Sequence, residues 1–210
     1  MYLSTTVKRV IACILDVLLM GMISLALSIS PLNPNANKVQ ELEAGYKEEM
    51  EDWSERATGV DESSSEALEL IKEYRTLNEN FIYDGAKLSI YENLITIIVS
   101  IVYFIIVPFF MDGSTLGKKI MKLKISKVGG EPVSFGWIFI REMLLYGIVF
   151  NIVDIIAMYV LSKNTFISFY VLLSYASYIF GIAVIVTTLF RQDKRGLHDL
   201  IAGTIVEERK

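Results

Sequence analysis

Three residues stand where chemistry is hardest to ignore: Asp16, Asn151 and Asp154 each lie inside a long apolar run. If such a run sits in lipid, a carboxylate at its centre costs about 2.5–3.5 kcal/mol on insertion scales, so it must face protein or water. Asp16 lies seven residues beyond Arg9, which is about 10 Å along a helix and nearly two full turns, on the same face. Two readings stay open. In one, Asp16, with Asn151 and Asp154, lines a polar path for a proton or cation and changes protonation as it works. In the other, Asp16 pairs with Arg9, Arg141 or a base near the C-terminus, fixes how helices pack, and turns nothing over. His198, the only histidine, is either a cytoplasmic proton acceptor that titrates near neutral pH or a hydrogen-bonding structural residue.

The elements that must position these groups follow from the distribution of charge. The chain is 53% hydrophobic yet 21% charged, and the charges are concentrated between apolar blocks instead of alternating with them, a pattern that lipid explains better than a soluble core. Apolar runs cover residues 10–28, 94–110, about 137–161 and 167–190. The first is longer than the apolar region of a cleaved leader and is interrupted by Asp16, so it reads as a membrane helix. The third begins amphipathically, with Arg141 and Glu142 expected at the headgroup level.

Residues 31–90 differ in kind. They carry fourteen acids from Glu41 to Asp84 against six bases, and belong in water. Val39, Leu42, Tyr46, Met50 and Trp53 recur at helical spacing, as do Ala67, Ile71, Tyr74 and Phe81, with Gly59 and three serines between the sets; the spacing predicts an acidic helical hairpin. The expected organisation is therefore all-α, with four transmembrane helices: residues 1–30 (N-terminal segment and first span), 31–90 (the insertion) and 91–210 (three further spans). Lys8, Arg9, the lysines from 118 to 127, and Arg191, Lys194, Arg195, Arg209 and Lys210 fall on one side of four crossings. The positive-inside rule makes that side, with both termini, cytoplasmic and the insertion extracytoplasmic.

Several classes drop out. The formal charge of -4 gives no basic footprint for nucleic acid. Cys13 is the only cysteine, no Cys or His cluster suggests a metal, no cofactor motif is present, and no serine stands in a nucleophile motif. The stretch from Asp112 to Lys119 resembles a phosphate-binding loop superficially, but its glycines are one residue too close and Lys119 stands where Ser or Thr would bind magnesium. Residues 122–128 alternate basic or polar with apolar side chains, which fits a basic ribbon or interfacial segment.

Arg9, Ala12 and Asp16 in the first helix, Gly113-Ser-Thr-Leu-Gly-Lys-Lys followed by Leu123, Ile125 and Gly130, and Gly196-Leu-His-Asp running on to Gly203 together resemble the RDD family of bacterial membrane proteins. The resemblance implies that its arginine and first aspartate are Arg9 and Asp16 and that the second aspartate is Asp199, with Asp193 as the alternative. Gly113, Thr115, Gly117, Lys118, Gly196 and Gly203 are then the cytoplasmic motif. Residues 31–90 are longer than the family's pattern, so nothing they do is inherited from it.

Transport has been suggested for the family, including sodium–proton exchange for some members, and no enzymatic activity is implied. The expectation is a bacterial cell-membrane protein that carries a monovalent cation or proton through Arg9, Asp16 and Asp199, with a homodimer supplying the room that four packed helices lack. The competing expectation is a non-catalytic membrane protein that docks a partner through its acidic insertion.

Overall fold

A computed structural model describes residues 4–209. Helix α1 (Thr5–Ser28) starts at Ser4, whose hydroxyl accepts from the Val7 amide at 3.4 Å. Its apolar side chains point outward. Leu18, Met22 and Leu25 are exposed, while the buried positions are Ala12, Asp16, Ser24 and Ser28. These four recur at multiples of four residues, so the small and polar side chains form the stripe that meets protein. A soluble amphipathic helix shows the reverse, and a lipid-facing helix shows this.

Helices α2 (Ala36–Ala57) and α3 (Ser65–Leu88) pack as an antiparallel hairpin. Tyr46 stacks on Phe81 with ring centroids 4.0 Å apart and donates to Asn78 Oδ1 at 2.6 Å. Trp53 lies against Tyr74 and donates from Nε1 to the Leu70 carbonyl at 2.8 Å. Arg56 closes the far end on Glu73. The Tyr46–Trp53 stripe of α2 is thus spent on α3.

Only Ser89 separates α3 from α4 (Ile90–Phe110), whose ladder widens into a π-turn at Val102–Ile106. A π-turn inserts an extra residue into the helix and re-aims the side chains beyond it. After α4 come α5 (Leu116–Ile120), β1 (Leu123–Lys127), α6 (Phe135–Leu145) and α7 (Ile148–Val160). The third apolar run, expected as one helix, is broken: α6 and α7 meet at 72°. Gly147 makes the corner with φ +66°, left-handed backbone that glycine adopts without a Cβ penalty. The long α8 (Lys163–Phe190), α9 (Leu197–Ile201) and β2 (Thr204–Glu208) complete the chain.

The chain is mostly helical, with one addition that the all-α expectation lacked. β1 and β2 pair antiparallel, Leu123 opposite Glu208 and Lys127 opposite Thr204. Residues 122–128, read as a basic ribbon or interfacial segment, therefore contain one strand of a two-stranded sheet, β1. Leu123, Ile125 and Val206 from it are buried against Ala12 of α1. The sheet and α5 gather around the start of α1, where Lys8 pairs with Glu208 at 2.8 Å. At the opposite end of the bundle, Asn35 donates to the Leu88 carbonyl at 3.1 Å and Lys163 to Asn80. Three helices, α1, α4 and α8, are long and apolar enough to cross a membrane, and there are four spans if α6–α7 counts as one.

Candidate functional site

Asp199 is the hub of a buried charge network at the end where the start of α1 meets β2. Its first turn, α9, follows Gly196, whose amide donates to Asp199 Oδ2 at 3.2 Å. Arg9 of α1 donates to the same oxygen at 2.9 Å, and its other terminal nitrogen donates to the Lys194 carbonyl. On Oδ1, Arg141 of α6 donates from Nε at 2.8 Å and Thr204 of β2 from its hydroxyl at 3.1 Å. One carboxylate therefore ties together four segments. Arg141 goes on to bridge Glu142 Oε1, which also lies 3.6 Å from Lys118 Nζ. Arg141, Glu142 and Asp199 are 1%, 0% and 0% exposed, so their charges are sustained by each other and not by water.

Arg141 and Glu142, expected at the headgroup level, are buried inside the protein. The adjacent unlike charges within an apolar run were the available signal, because burying both is tolerable only where each finds a counter-charge.

His198 sits beside this hub. Its Nε2 lies 3.3 Å from Arg141 Nη2 and 3.4 Å from Asp199 Oδ2, and its Nδ1 is buried without a hydrogen-bond partner among the described residues. Burial, and then the neighbouring Arg141, push the imidazole down to about 3. Of the two readings of His198, that direction favours the neutral, hydrogen-bonding one. Burial pushes the Asp199 carboxyl up, but Arg141, His198 and Arg9 more than reverse that and hold it well below the usual carboxylate range. Asp193, the alternative motif aspartate, is outside the network and pairs with Arg191 at the surface.

Asp16 is buried, as its position in an apolar run required, but Arg9 does not bridge it to Asp199. Its donors are neutral: Tyr103 to Oδ1 at 2.6 Å, the Gly117 amide to Oδ1 at 2.7 Å, and Thr115 to Oδ2. The physical reason is depth. Asp16 lies two turns along α1 from Arg9, while the Arg9 guanidinium reaches back to the segment after α8. The π-turn of α4 carries Tyr103, and Thr115 caps α5 as it binds Asp16. Gly117 permits the approach: a Cβ there would fall 2.4 Å from the Ala12 carbonyl oxygen and 2.7 Å from Asp16 Oδ1.

The other motif residues serve the same junction. Gly113, at φ +73°, sits where a Cβ would meet the Ile125 carbonyl oxygen at 2.4 Å. Gly203, at φ +61°, turns the chain from α9 into β2. A Cβ on Gly196 would strike the His198 ring and Thr188 at 2.5 Å. Lys118 is buried, with Nζ lacking a hydrogen-bond partner among the described residues.

Asn151 and Asp154 are elsewhere. They line a recess of about 280 Å³ with Asn93, Tyr170, Ser174 and Ser177, a set that includes none of the network residues. A second recess, of about 320 Å³, shares Asn93, Asp154 and Tyr170 and extends to Leu42, Glu43 and Phe81 of the hairpin. Asp154 Oδ1 is buried with no hydrogen-bond partner, and Asp154 makes no ion pair among the described residues. The polar path read from sequence is thus divided: Asp16 and His198 belong to the junction, Asn151 and Asp154 to a recess of their own. Among the described residues no group of three His, Cys, Asp or Glu side chains is placed to hold a metal ion.

Comparison with known proteins adds a family. The family model described as RDD family matches residues 3–203. The uncharacterized protein YckC of Bacillus subtilis (strain 168) is 31% identical over 112 residues, covering 52% of this chain and 56% of the relative. The chain thus spans little more than half the length of that curated relative. No solved structure matches the chain.

Proposed function

The chain belongs to the RDD family, and on that premise we propose that it is a non-enzymatic, four-span membrane protein that binds a monovalent cation in exchange for a proton at Asp154. The single observation that carries this reading is the carboxylate itself. Asp154 lies in an apolar helix, one of its oxygens is buried, and that oxygen has no partner. A group so costly to place is expected to have an occupant that comes and goes, and a small cation held by Asp154, Asn93, Asn151 and serine hydroxyls is the simplest one. The break at Gly147 supports the same reading, because discontinuous helices line the binding sites of many secondary transporters.

In this account the motif carboxylates Asp16 and Asp199 are not the carriers. Each is saturated with donors, so they lock the cytoplasmic end of the bundle, away from the recess. The positive-inside rule puts both termini in the cytoplasm and the acidic hairpin outside. Docking through the α2 stripe is the weaker reading, since Tyr46 and Trp53 already close the hairpin.

The test is an equilibrium one. In detergent at constant ionic strength, sodium or potassium should raise the unfolding temperature relative to choline, by an amount that shrinks as pH falls and protons compete. Asp154→Asn should lose the shift. An equal shift in that variant, or no difference among the three cations, overturns the proposal.

A further inference from the structure

The hairpin of α2 and α3 is tied to the end of the bundle that holds Asp154. Only Ser89 separates α3 from α4, Asn35 donates to the Leu88 carbonyl, and Lys163, at the start of α8, donates to Asn80. Beside these ties lies the recess of about 320 Å³ that Asp154 shares with the foot of the hairpin. Asn93, Asp154 and Tyr170 line both this recess and the polar one beside Asn151, so the two spaces border the same carboxylate.

The charge of the hairpin-side recess has one sign. Glu43 and Asp154 are the charged residues that line it, and no base does so among the described residues. Glu43 is exposed on α2, and the ion pairs of the hairpin leave it out: Lys47 meets Glu51, Arg56 meets Asp52 and Glu73, and Arg75 meets Glu79. A recess walled by acids alone concentrates cations and repels anions. Its width has a local cause as well. Gly85 lines it from within α3, where glycine weakens a helix relative to alanine. A Cβ there would stand 3.8 Å from Leu42 Cδ2, an ordinary contact, so no steric conflict demands glycine. What the missing side chain leaves is room in the recess.

We infer that the foot of the hairpin is the extracytoplasmic entrance to Asp154, and that Glu43 at its mouth selects cations over anions. Glu43 stays solvated and holds no ion; it sets the sign of what enters, and Asp154 binds it. The rest of the hairpin works in the same direction, since its fourteen acids against six bases raise the local concentration of cations outside the mouth. This deepens the reading of Asp154 as the cation site and rests on it.

The experiment reads access by chemistry at a wall residue. In a Cys13→Ser background, Asn93→Cys is treated on intact cells with two membrane-impermeant methanethiosulfonates, one bearing a trimethylammonium and the other a sulfonate. Each rate is divided by the same reagent's rate with 2-mercaptoethanol. The expected result is reaction from outside, with the cationic reagent favoured at least about fivefold by the two carboxylates. Glu43→Gln should lower that preference about two- to threefold, and Glu43→Lys should lower it further. Gly85→Leu, which fills the recess, should slow both reagents at least about fivefold. The Glu43 variants change an exposed side chain and decide the matter even where Gly85→Leu unfolds. No reaction from outside, equal normalised rates, a preference unchanged in Glu43→Lys, or a folded Gly85→Leu that reacts at the parent rate overturns the inference. The entrance and the site fail separately. A protein with Asn93 intact that shows no cation-dependent unfolding temperature loses the site and the entrance with it, whereas one that keeps this dependence but gives any of the four contrary results loses the entrance alone.

Discussion

Arg9, in the second turn of α1, meets Asp199, 190 residues further along the chain, at 2.9 Å, with side chains that are 9% and 0% exposed. This contact closes the chain on itself, because the same carboxylate holds Arg141 of α6 and Thr204 of β2. Removing one member of such a cluster leaves the others charged and dry. Asp199→Asn should therefore cost about 3–5 kcal/mol, seen as a large drop in the unfolding temperature of the purified protein or as failure to accumulate in the membrane. Asp193→Asn, which affects an exposed pair with Arg191 and leaves an amide oxygen to accept from the Arg195 amide, should be close to silent.

The same cluster fixes how stability responds to acid. Asp199 is held below its ordinary range when folded, so the stability it contributes is complete above the unfolded value of about 4 and is lost as pH falls toward the folded value. His198 is pushed down to about 3, so it stays neutral in the folded protein while the unfolded chain takes a proton below about 6.5. Stability should accordingly decline as pH falls from about 6.5, on the order of a few kcal/mol in total. The groups facing His198 are Arg141, Asp199, Arg9 and Lys118. Thermal unfolding from pH 7.5 to 4.5 should show this slope in the wild type and a shallower one in His198→Asn between pH 6.5 and 4.5. Equal slopes would contradict it.

The glycines divide sharply. Gly117→Ala sets a Cβ 2.4 Å from the Ala12 carbonyl oxygen and 2.7 Å from Asp16 Oδ1; forcing α5 off α1 should cost about 1–3 kcal/mol. Gly181→Ala, in α8, meets nothing within 4 Å and should not lower the unfolding temperature. Comparing the two by thermal unfolding separates close approach from helix propensity.

What could be read before folding, and what could not, follows from the range of each interaction. Lipid imposes span length and forbids unpaired charge, so the spans and the burial of Asp16 were legible in a local window. The partners of Asp16 were not, because Tyr103, Thr115 and Gly117 lie 87, 99 and 101 residues away and only the π-turn of α4 brings Tyr103 to bear. The pairing of Arg141 with Asp199 was not legible either, because the two lie 58 residues apart. The break at Gly147 was hidden by apolar residues on both sides, and β2 by its five-residue length.

Topology has its own check. In a Cys13→Ser background, Glu62→Cys between α2 and α3 should react with a membrane-impermeant maleimide on intact cells. Glu131→Cys, between β1 and α6, should react only after permeabilisation. The reverse pattern would invert the orientation that the positive-inside rule assigns.

The most direct test is ion flux in proteoliposomes, read with an internal pH dye as a sodium or potassium gradient is imposed on wild type and Asp154→Asn. The account predicts cation-driven proton movement by the wild type and none by Asp154→Asn, with the variant's unfolding temperature in choline unchanged. Flux that survives in Asp154→Asn, or no flux in the wild type under any gradient, contradicts the assignment of Asp154 as the carrier.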